Sequence, residues 1–114
     1  MNNLNVEAFL SEVEASLKNH FTGYKIQFLL RTPKSLKANI HLDKNLFIAL
    51  RYNARNERVD FALIHNNQRI FGYDNLKEWH SHPYENPSRH ITCNKPSIGK
   101  IISDIRKVYE AIKS

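Results

Sequence analysis

Residues 46–52 read Leu-Phe-Ile-Ala-Leu-Arg-Tyr, a segment that is apolar at nearly every position. Turn-forming residues flank it on both sides, at 43–45 and at 53–57. Because a strand that is apolar on both faces is typical of the interior of a sheet, we predict a central strand whose two faces are both covered. Arg51 then needs a partner inside this strand, which is either a carboxylate such as that of Asp60 or a bound phosphate.

Segments on both sides of this strand also have the composition or the alternation of strands. These segments are residues 24–31, 36–42, 58–65 and 69–73. The links between them are short, which favours antiparallel neighbours. Apolar residues at helical spacing come first and last in the chain, over residues 4–20 and from Ile98 to Ile112, and Pro96 is predicted to lie in the first turn of the second helix. The sequence therefore predicts an α+β fold with an N-terminal helix, an antiparallel meander of about five strands, a long His-rich loop, and a C-terminal helix packed on the sheet.

The composition indicates one basic domain, residues 1–114. Lys and Arg number 17 against 11 Asp and Glu, which gives a net charge of +6 and favours a polyanionic partner such as RNA. The single cysteine, Cys93, excludes an intrachain disulfide. No apolar run approaches the roughly 18 residues of a membrane helix, and the N-terminus lacks a basic signal region. We therefore expect a cytoplasmic protein with no membrane partner.

Residues 75–95 show no clear periodicity and are predicted to form one long loop. Loops of more than about 12–15 residues are uncommon in small domains unless they are functional or disordered. We expect a short helical turn over residues 75–79, and we expect Trp79, Tyr84 and Ile91 to anchor the loop on the body of the domain.

Three histidines in this segment are the candidate catalytic groups: His80, His82 and His90. Imidazole gains and loses a proton near neutral pH. Cleavage of RNA through its 2′-hydroxyl needs a base, an acid and a cation beside the phosphate, and this chemistry requires no cofactor. In this interpretation Asp74 orients one ring, and Tyr73 acts as an acid or as a donor to the phosphate.

The predicted binding residues are Asn75, Arg89, Arg51, Arg55 and Arg58. Arg89 adjoins the last histidine, and Asn75 follows the strand that ends at Asp74. Basic residues also gather in two predicted turns, at positions 31, 34, 37, 55 and 58. If these turns share one edge of the sheet, they form a basic rim suited to a phosphate backbone, although a solvated face has the same composition.

A catalytic zinc site is a rival use of the same three histidines, with the fourth coordination position open. In this interpretation the His80-Ser81-His82 segment is expected to need a bend, helped by Pro83, before its two rings converge. Neither Cys-x-x-Cys nor His-Glu-x-x-His occurs in the chain. A third interpretation is that the histidines are ordinary surface residues of a polar loop.

The segment from Tyr73 to Ser97 resembles a known family. The resemblance rests on the triplet Tyr73-Asp74-Asn75, on His80 and His82-Pro83, on Arg89-His90-Ile91 and on Pro96-Ser97. This pattern is similar to that of the TumE-like toxins, which are small toxin components of prokaryotic toxin–antitoxin pairs. The motif covers residues 72–97, and the general plan covers the whole chain. The family loop typically carries adjacent histidines before the last one, whereas this chain has Asn-Pro-Ser-Arg at residues 86–89.

The resemblance implies a growth-inhibiting toxin that a cognate antitoxin neutralises, with Asp74, Asn75 and His90 as the matching site residues. Together with the histidines and the charge, it leads us to expect a toxin that acts on RNA as a metal-independent ribonuclease. The alternative is a basic module that binds nucleic acid or protein without chemistry. A homodimer is the further arrangement that the sequence leaves open, since a second copy is one way to cover the second face of the central strand.

Overall fold

The computed structural model describes residues 5–114 and shows one antiparallel sheet with two helices. The elements in chain order are α1 (Val6–His20), β1 (Lys25–Arg31), β2 (Ser35–Asp43), β3 (Leu46–Asn53), β4 (Arg58–His65), β5 (Gln68–Asp74), β6 (His80–His82), β7 (Ile91–Thr92) and α2 (Ile98–Lys113). Each strand pairs with the next one, so that the sheet order is the chain order. The predicted α+β fold is confirmed, with seven strands where about five were expected.

Both helices begin at a side-chain cap. The Asn5 side chain accepts a hydrogen bond from the backbone N–H of Ala8 at 2.8 Å, and the Ser97 hydroxyl accepts one from that of Lys100 at 3.0 Å. Pro96 therefore precedes the cap of α2 and does not lie in the first turn of the helix. The predicted start of the first helix, at residue 4, lies outside the described residues. No helix among residues 5–114 is long and apolar enough to cross a membrane.

The core lies between the helices and one face of the sheet. In β3, Ile48 and Leu50 are buried in this core, whereas Phe47 and Ala49 are half-buried and Arg51 is exposed. The prediction that β3 is covered on both faces is therefore wrong, because both helices pack on the same side. We call the side without helices the outer face.

The segment predicted as a loop contains two short strands, β6 and β7. Residues 76–78 form bends, and Lys77 has a positive φ of 69°, so the predicted helical turn is absent. Trp79 packs against the core, but Tyr84 and Ile91 are 42% and 38% exposed and do not anchor the segment. Strands of two or three residues are too short to show a periodic pattern, which explains why they were not predicted.

Candidate active site

One row of directly paired residues crosses the outer face through all seven strands, and we call it the polar row. Its members, from β1 to β7, are Leu30, Lys37, Arg51, Asp60, Asp74, His80 and Thr92. Cations therefore lie toward β2 and β3, two carboxylates lie on β4 and β5, and an imidazole lies on β6. Pairing brings together residues that are far apart in the sequence, and it gives the outer face an ordered charge pattern.

Asp74, a member of this row, forms a buried pair with His82. Asp74 Oδ2 lies 2.6 Å from His82 Nε2, and the His82 residue is only 1% exposed. The other ring nitrogen, Nδ1, lies 3.1 Å from the carbonyl oxygen of Pro87. The ring of His82 is therefore held between two acceptor groups, the carboxylate of Asp74 and the backbone carbonyl of Pro87.

The ionised form of Asp74 is favoured by its hydrogen bonds. Burial on its own raises the pKa of this carboxyl, but the bonds from His82 and from the backbone N–H of Leu76, together with the charge of the neighbouring rings, hold the pKa below its ordinary value. Asp74 thereby fixes the orientation of His82. With both nitrogens engaged and the ring buried, His82 is a positioning residue that does not reach a substrate.

His80 and His90 are the two imidazoles that a substrate can reach. The His90 ring centroid lies 4.5 Å from that of His82 and 5.6 Å from that of His80, with the rings near perpendicular in both pairs. His90 is exposed, and the His80 side chain is partly exposed. His80 Nδ1 is buried, has no hydrogen-bond partner among the described residues, and lies 3.8 Å from Asp74 Oδ1. The cluster therefore places two accessible imidazoles beside one buried, hydrogen-bonded carboxylate–imidazole pair.

The expectation that His80 and His82 need a bend to converge is wrong. Both residues belong to β6, where residues two apart project from the same face of the strand. Antiparallel pairing with β5 places His80 directly opposite Asp74 and His82 opposite Gly72. An extended backbone is therefore sufficient to bring both rings to the same carboxylate.

Two of the predicted site residues do not join this cluster. Tyr73 lies on the core face, where its hydroxyl donates a hydrogen bond to Asp104 Oδ2 at 2.6 Å. Burial, followed by this bond, raises the pKa of Tyr73, which removes it further from a role as an acid. The Asn75 side chain accepts from the backbone N–H of Val59 at 2.8 Å and donates to the carbonyl of Glu57 at 2.7 Å, so it holds the start of β4.

The predicted arginines lie at three places. Arg89 is exposed next to His90, and Arg55 is exposed in the turn between β3 and β4. Arg51 lies on the polar row opposite Asp60, yet the ion pairs of that carboxylate are with Arg58 at 3.9 Å and with Arg69 at 3.5 Å. The structure thus gives Arg51 no ion pair among the described residues.

The two basic turns share one edge of the sheet, as the basic-rim hypothesis requires. The backbone N–H of Ala54 donates to the carbonyl of Lys34 at 2.8 Å, which joins the turn before β2 to the turn after β3. Lys37 and Asp60 are site residues that sequence reasoning did not place in the polar row. The alternation of each strand indicates their face, but only the pairing register shows which residues are neighbours.

The two accessible imidazoles, His80 and His90, are side chains of the type that can take up and release a proton near neutral pH. Among residues 5–114, no three His, Cys, Asp or Glu side chains are arranged to hold a metal ion. No protein-family model matches the chain, and no curated protein and no solved structure matches it significantly. The similarity to the TumE-like toxins therefore stays a prediction from the quoted residues.

Proposed function

We propose that this chain is a ribonuclease that needs no metal and that it acts as the toxin of a toxin–antitoxin pair. The observation that carries the proposal is the cluster of His80, His82 and His90. Two of these rings lie near Asp74, and His80 and His90 reach the surface. Two reachable imidazoles supply the base and the acid that cleavage through the 2′-hydroxyl needs.

The proposed reaction balances without a further reactant. One of the two rings removes the proton of the 2′-hydroxyl, and the 2′-oxygen forms a bond to phosphorus. The bond from phosphorus to the 5′-oxygen breaks, and the other ring gives that oxygen a proton. The products are a 2′,3′-cyclic phosphate and a 5′-hydroxyl, and the adjacent Arg89 supplies positive charge for the phosphorane.

The charge of the chain supports both proposed partners. A net charge of +6 favours RNA as the substrate, and it favours an acidic cognate antitoxin as the neutralising partner. The toxin role itself rests on the resemblance of residues 72–97 to the TumE-like family. A toxin of this kind acts in the cytoplasm of a prokaryotic host.

Expression in a bacterial host from a tightly controlled promoter tests the proposal. The wild type is compared with His90→Ala and Asp74→Ala, and total RNA is analysed on a gel at early times. We expect growth arrest and new RNA fragments with the wild type and neither with the two variants. His20→Ala, at the end of α1, is the matched control and keeps the wild-type effect. Full toxicity of His90→Ala would contradict the proposed chemistry.

A module that binds RNA without cleaving it is the second candidate, favoured by the adjacent basic turns. In that case charge reversal at Arg55 and Arg58 weakens RNA binding in a salt-dependent way, while the histidine variants keep full affinity. Binding with no new fragments in the expression experiment would select this function.

A further inference from the structure

A cleft on the outer face carries more positive charge than its surroundings neutralise. It encloses about 280 Å³ between the ends of β2, β3 and β4. Its charged and amide side chains, which we call the cationic cleft, are Lys37, Arg51, Arg58, Asn53, Asn56 and Asp60. It lies in the half of the polar row that β1 to β4 form, away from the histidines.

The cations of the cleft are poorly neutralised, because two of them have no ion pair among the described residues and the third has only a long one. Lys37 and Arg51 are direct cross-strand neighbours, a like-charge pairing that costs free energy unless an anion lies between them. Neither forms an ion pair with another of residues 5–114. The nearest carboxylate oxygen to Arg58 is 3.9 Å away, and Arg58 Nε is buried without a hydrogen-bond partner among the same residues.

One carboxylate serves all these cations, and it does so incompletely. Asp60 is shared with Arg69, which lies outside the cleft, and its Oδ1 atom is buried without a hydrogen-bond partner among the described residues. Burial raises the pKa of Asp60, although the three nearby arginines oppose this shift. The balance of charge in the cleft is therefore positive.

The two amides of the cleft present donors. Asn53 Oδ1 accepts from the backbone N–H of Arg55 at 2.9 Å, and Asn56 Oδ1 accepts from that of Arg58 at 3.0 Å. With each oxygen engaged, the amide nitrogens are the groups that remain to meet a ligand. Guanidinium, ammonium and amide donors converging on one small cleft are suited to a phosphate group.

We infer that the cationic cleft binds a backbone phosphate of the RNA strand whose cleavage the histidines perform, which rests on the proposed function. Arg51 and His80 are three strand spacings apart on the polar row, about 14 Å. A stacked strand at about 3.4 Å per nucleotide spans this distance in about four nucleotides. The RNA therefore crosses the strands along the polar row, with one phosphate in the cleft and another beside His90.

The cleft implies a minimum substrate length. A dinucleotide reaches only the histidines, whereas a hexanucleotide reaches both positions. The affinity for the hexanucleotide then depends on the cleft, whereas the affinity for the dinucleotide does not.

Equilibrium binding of 2′-O-methyl oligonucleotides tests this inference, because a blocked 2′-hydroxyl prevents cleavage. The full chain is used, as wild type and as the double variant Lys37→Gln/Arg51→Gln. Both substituted positions are exposed. Lys18→Gln/Lys44→Gln, also at exposed positions, removes the same charge elsewhere and is the matched control. If the double variant does not fold, Arg51→Gln alone is used.

We expect the double variant to bind the hexanucleotide about tenfold or more weakly, as loss of two charge-assisted contacts implies, and the control to bind as the wild type does. The slope of log affinity against log salt falls by about 0.7 for each lost phosphate contact. Dinucleotide binding stays the same in all three proteins. An equal loss in the double variant and the control, or no loss in either, would overturn the inference.

Two further measurements separate the possible failures. The first is a titration of the complex with inorganic phosphate. If phosphate saturates the cleft without displacing the hexanucleotide, the cleft is a site for free phosphate, and the assignment to RNA is overturned. A wild type that binds the hexanucleotide through the cleft but leaves cleavable RNA intact supports the phosphate site. That second result would contradict the proposed function alone.

Discussion

Replacing Asp74 by alanine or by asparagine separates the effect of its hydrogen bonds and charge from the effect of the space that its carboxyl fills. Asp74 accepts from His82 Nε2 at 2.6 Å and from the backbone N–H of Leu76 at 3.1 Å, and the His82 residue is almost fully buried. Removing the carboxyl leaves His82 Nε2 and the backbone N–H of Leu76 without their acceptor. We therefore expect Asp74→Ala to lower the free energy of unfolding by about 2–5 kcal/mol.

Asparagine at the same position keeps the shape and most of the bonds. The new amide accepts from Leu76 and donates to Nε2 of a neutral His82, which still donates from Nδ1 to the Pro87 carbonyl. The loss is then the difference between a charge-assisted and a neutral hydrogen bond. We expect Asp74→Asn to cost about 1–1.5 kcal/mol.

Urea unfolding followed by the fluorescence of Trp79, the only tryptophan, measures both values. Asp43→Ala is the control, because its carboxylate pairs with Lys113 at the surface and the expected cost is about 0–1 kcal/mol. A cost below about 1 kcal/mol for Asp74→Ala, or equal costs for the two Asp74 variants, would refute a stabilising buried pair of Asp74 with His82.

Other variants test the placement of residues on the two faces of the sheet. Tyr73→Phe loses the hydrogen bond to Asp104, and we expect its free energy of unfolding to fall by about 1.5–3 kcal/mol. RNA cleavage should stay unchanged because the hydroxyl faces the core, and a lower cleavage rate would contradict this. Gly72→Ala places a Cβ 2.5 Å from the backbone oxygen of Phe61, so that β4 and β5 must separate. We expect this to destabilise the fold by about 1–3 kcal/mol in thermal unfolding, and an unchanged melting temperature would contradict it. Burial raises the pKa of both Asp74 and Asp104, but their hydrogen bonds and the neighbouring charges together outweigh it and lower the folded-state pKa. The stabilisation from these carboxylates is therefore present above the unfolded-state pKa and is lost as the pH falls through the folded value. Urea unfolding between pH 7 and pH 3 should show this decrease, smaller in Tyr73→Phe, and greater stability at pH 3 would be inconsistent with it.

The sequence predicts the helices and the long strands because their apolar periodicity is strong. It fails at β6 and β7, which are too short to repeat a pattern. It also overstates the burial of β3, because Phe47 and Ala49 are apolar residues that lie half-buried on the outer face. An apolar side chain does not reveal which face of a sheet the helices cover.

The histidines could be selected from the sequence, but their geometry could not. Their convergence depends on the pairing of β5 with β6 and on the return of the segment that brings the Pro87 carbonyl to His82. Tyr73 and Asp74 are adjacent in a strand and therefore face opposite sides, a rule that separates them from sequence alone. The role of Asn75 depends on a long-range contact with β4, for which the sequence carries no signal.

The rate of cleavage of an end-labelled single-stranded RNA by the purified chain, with a chelator present, tests the central claim most directly. We predict that the wild type forms fragments with a 2′,3′-cyclic phosphate, and that His90→Ala and His80→Ala each lower the rate by about 10²–10⁴-fold. His20→Ala should cleave at the wild-type rate. Cleavage that persists at the wild-type rate in both His80→Ala and His90→Ala, or no cleavage by the wild type, would contradict the account.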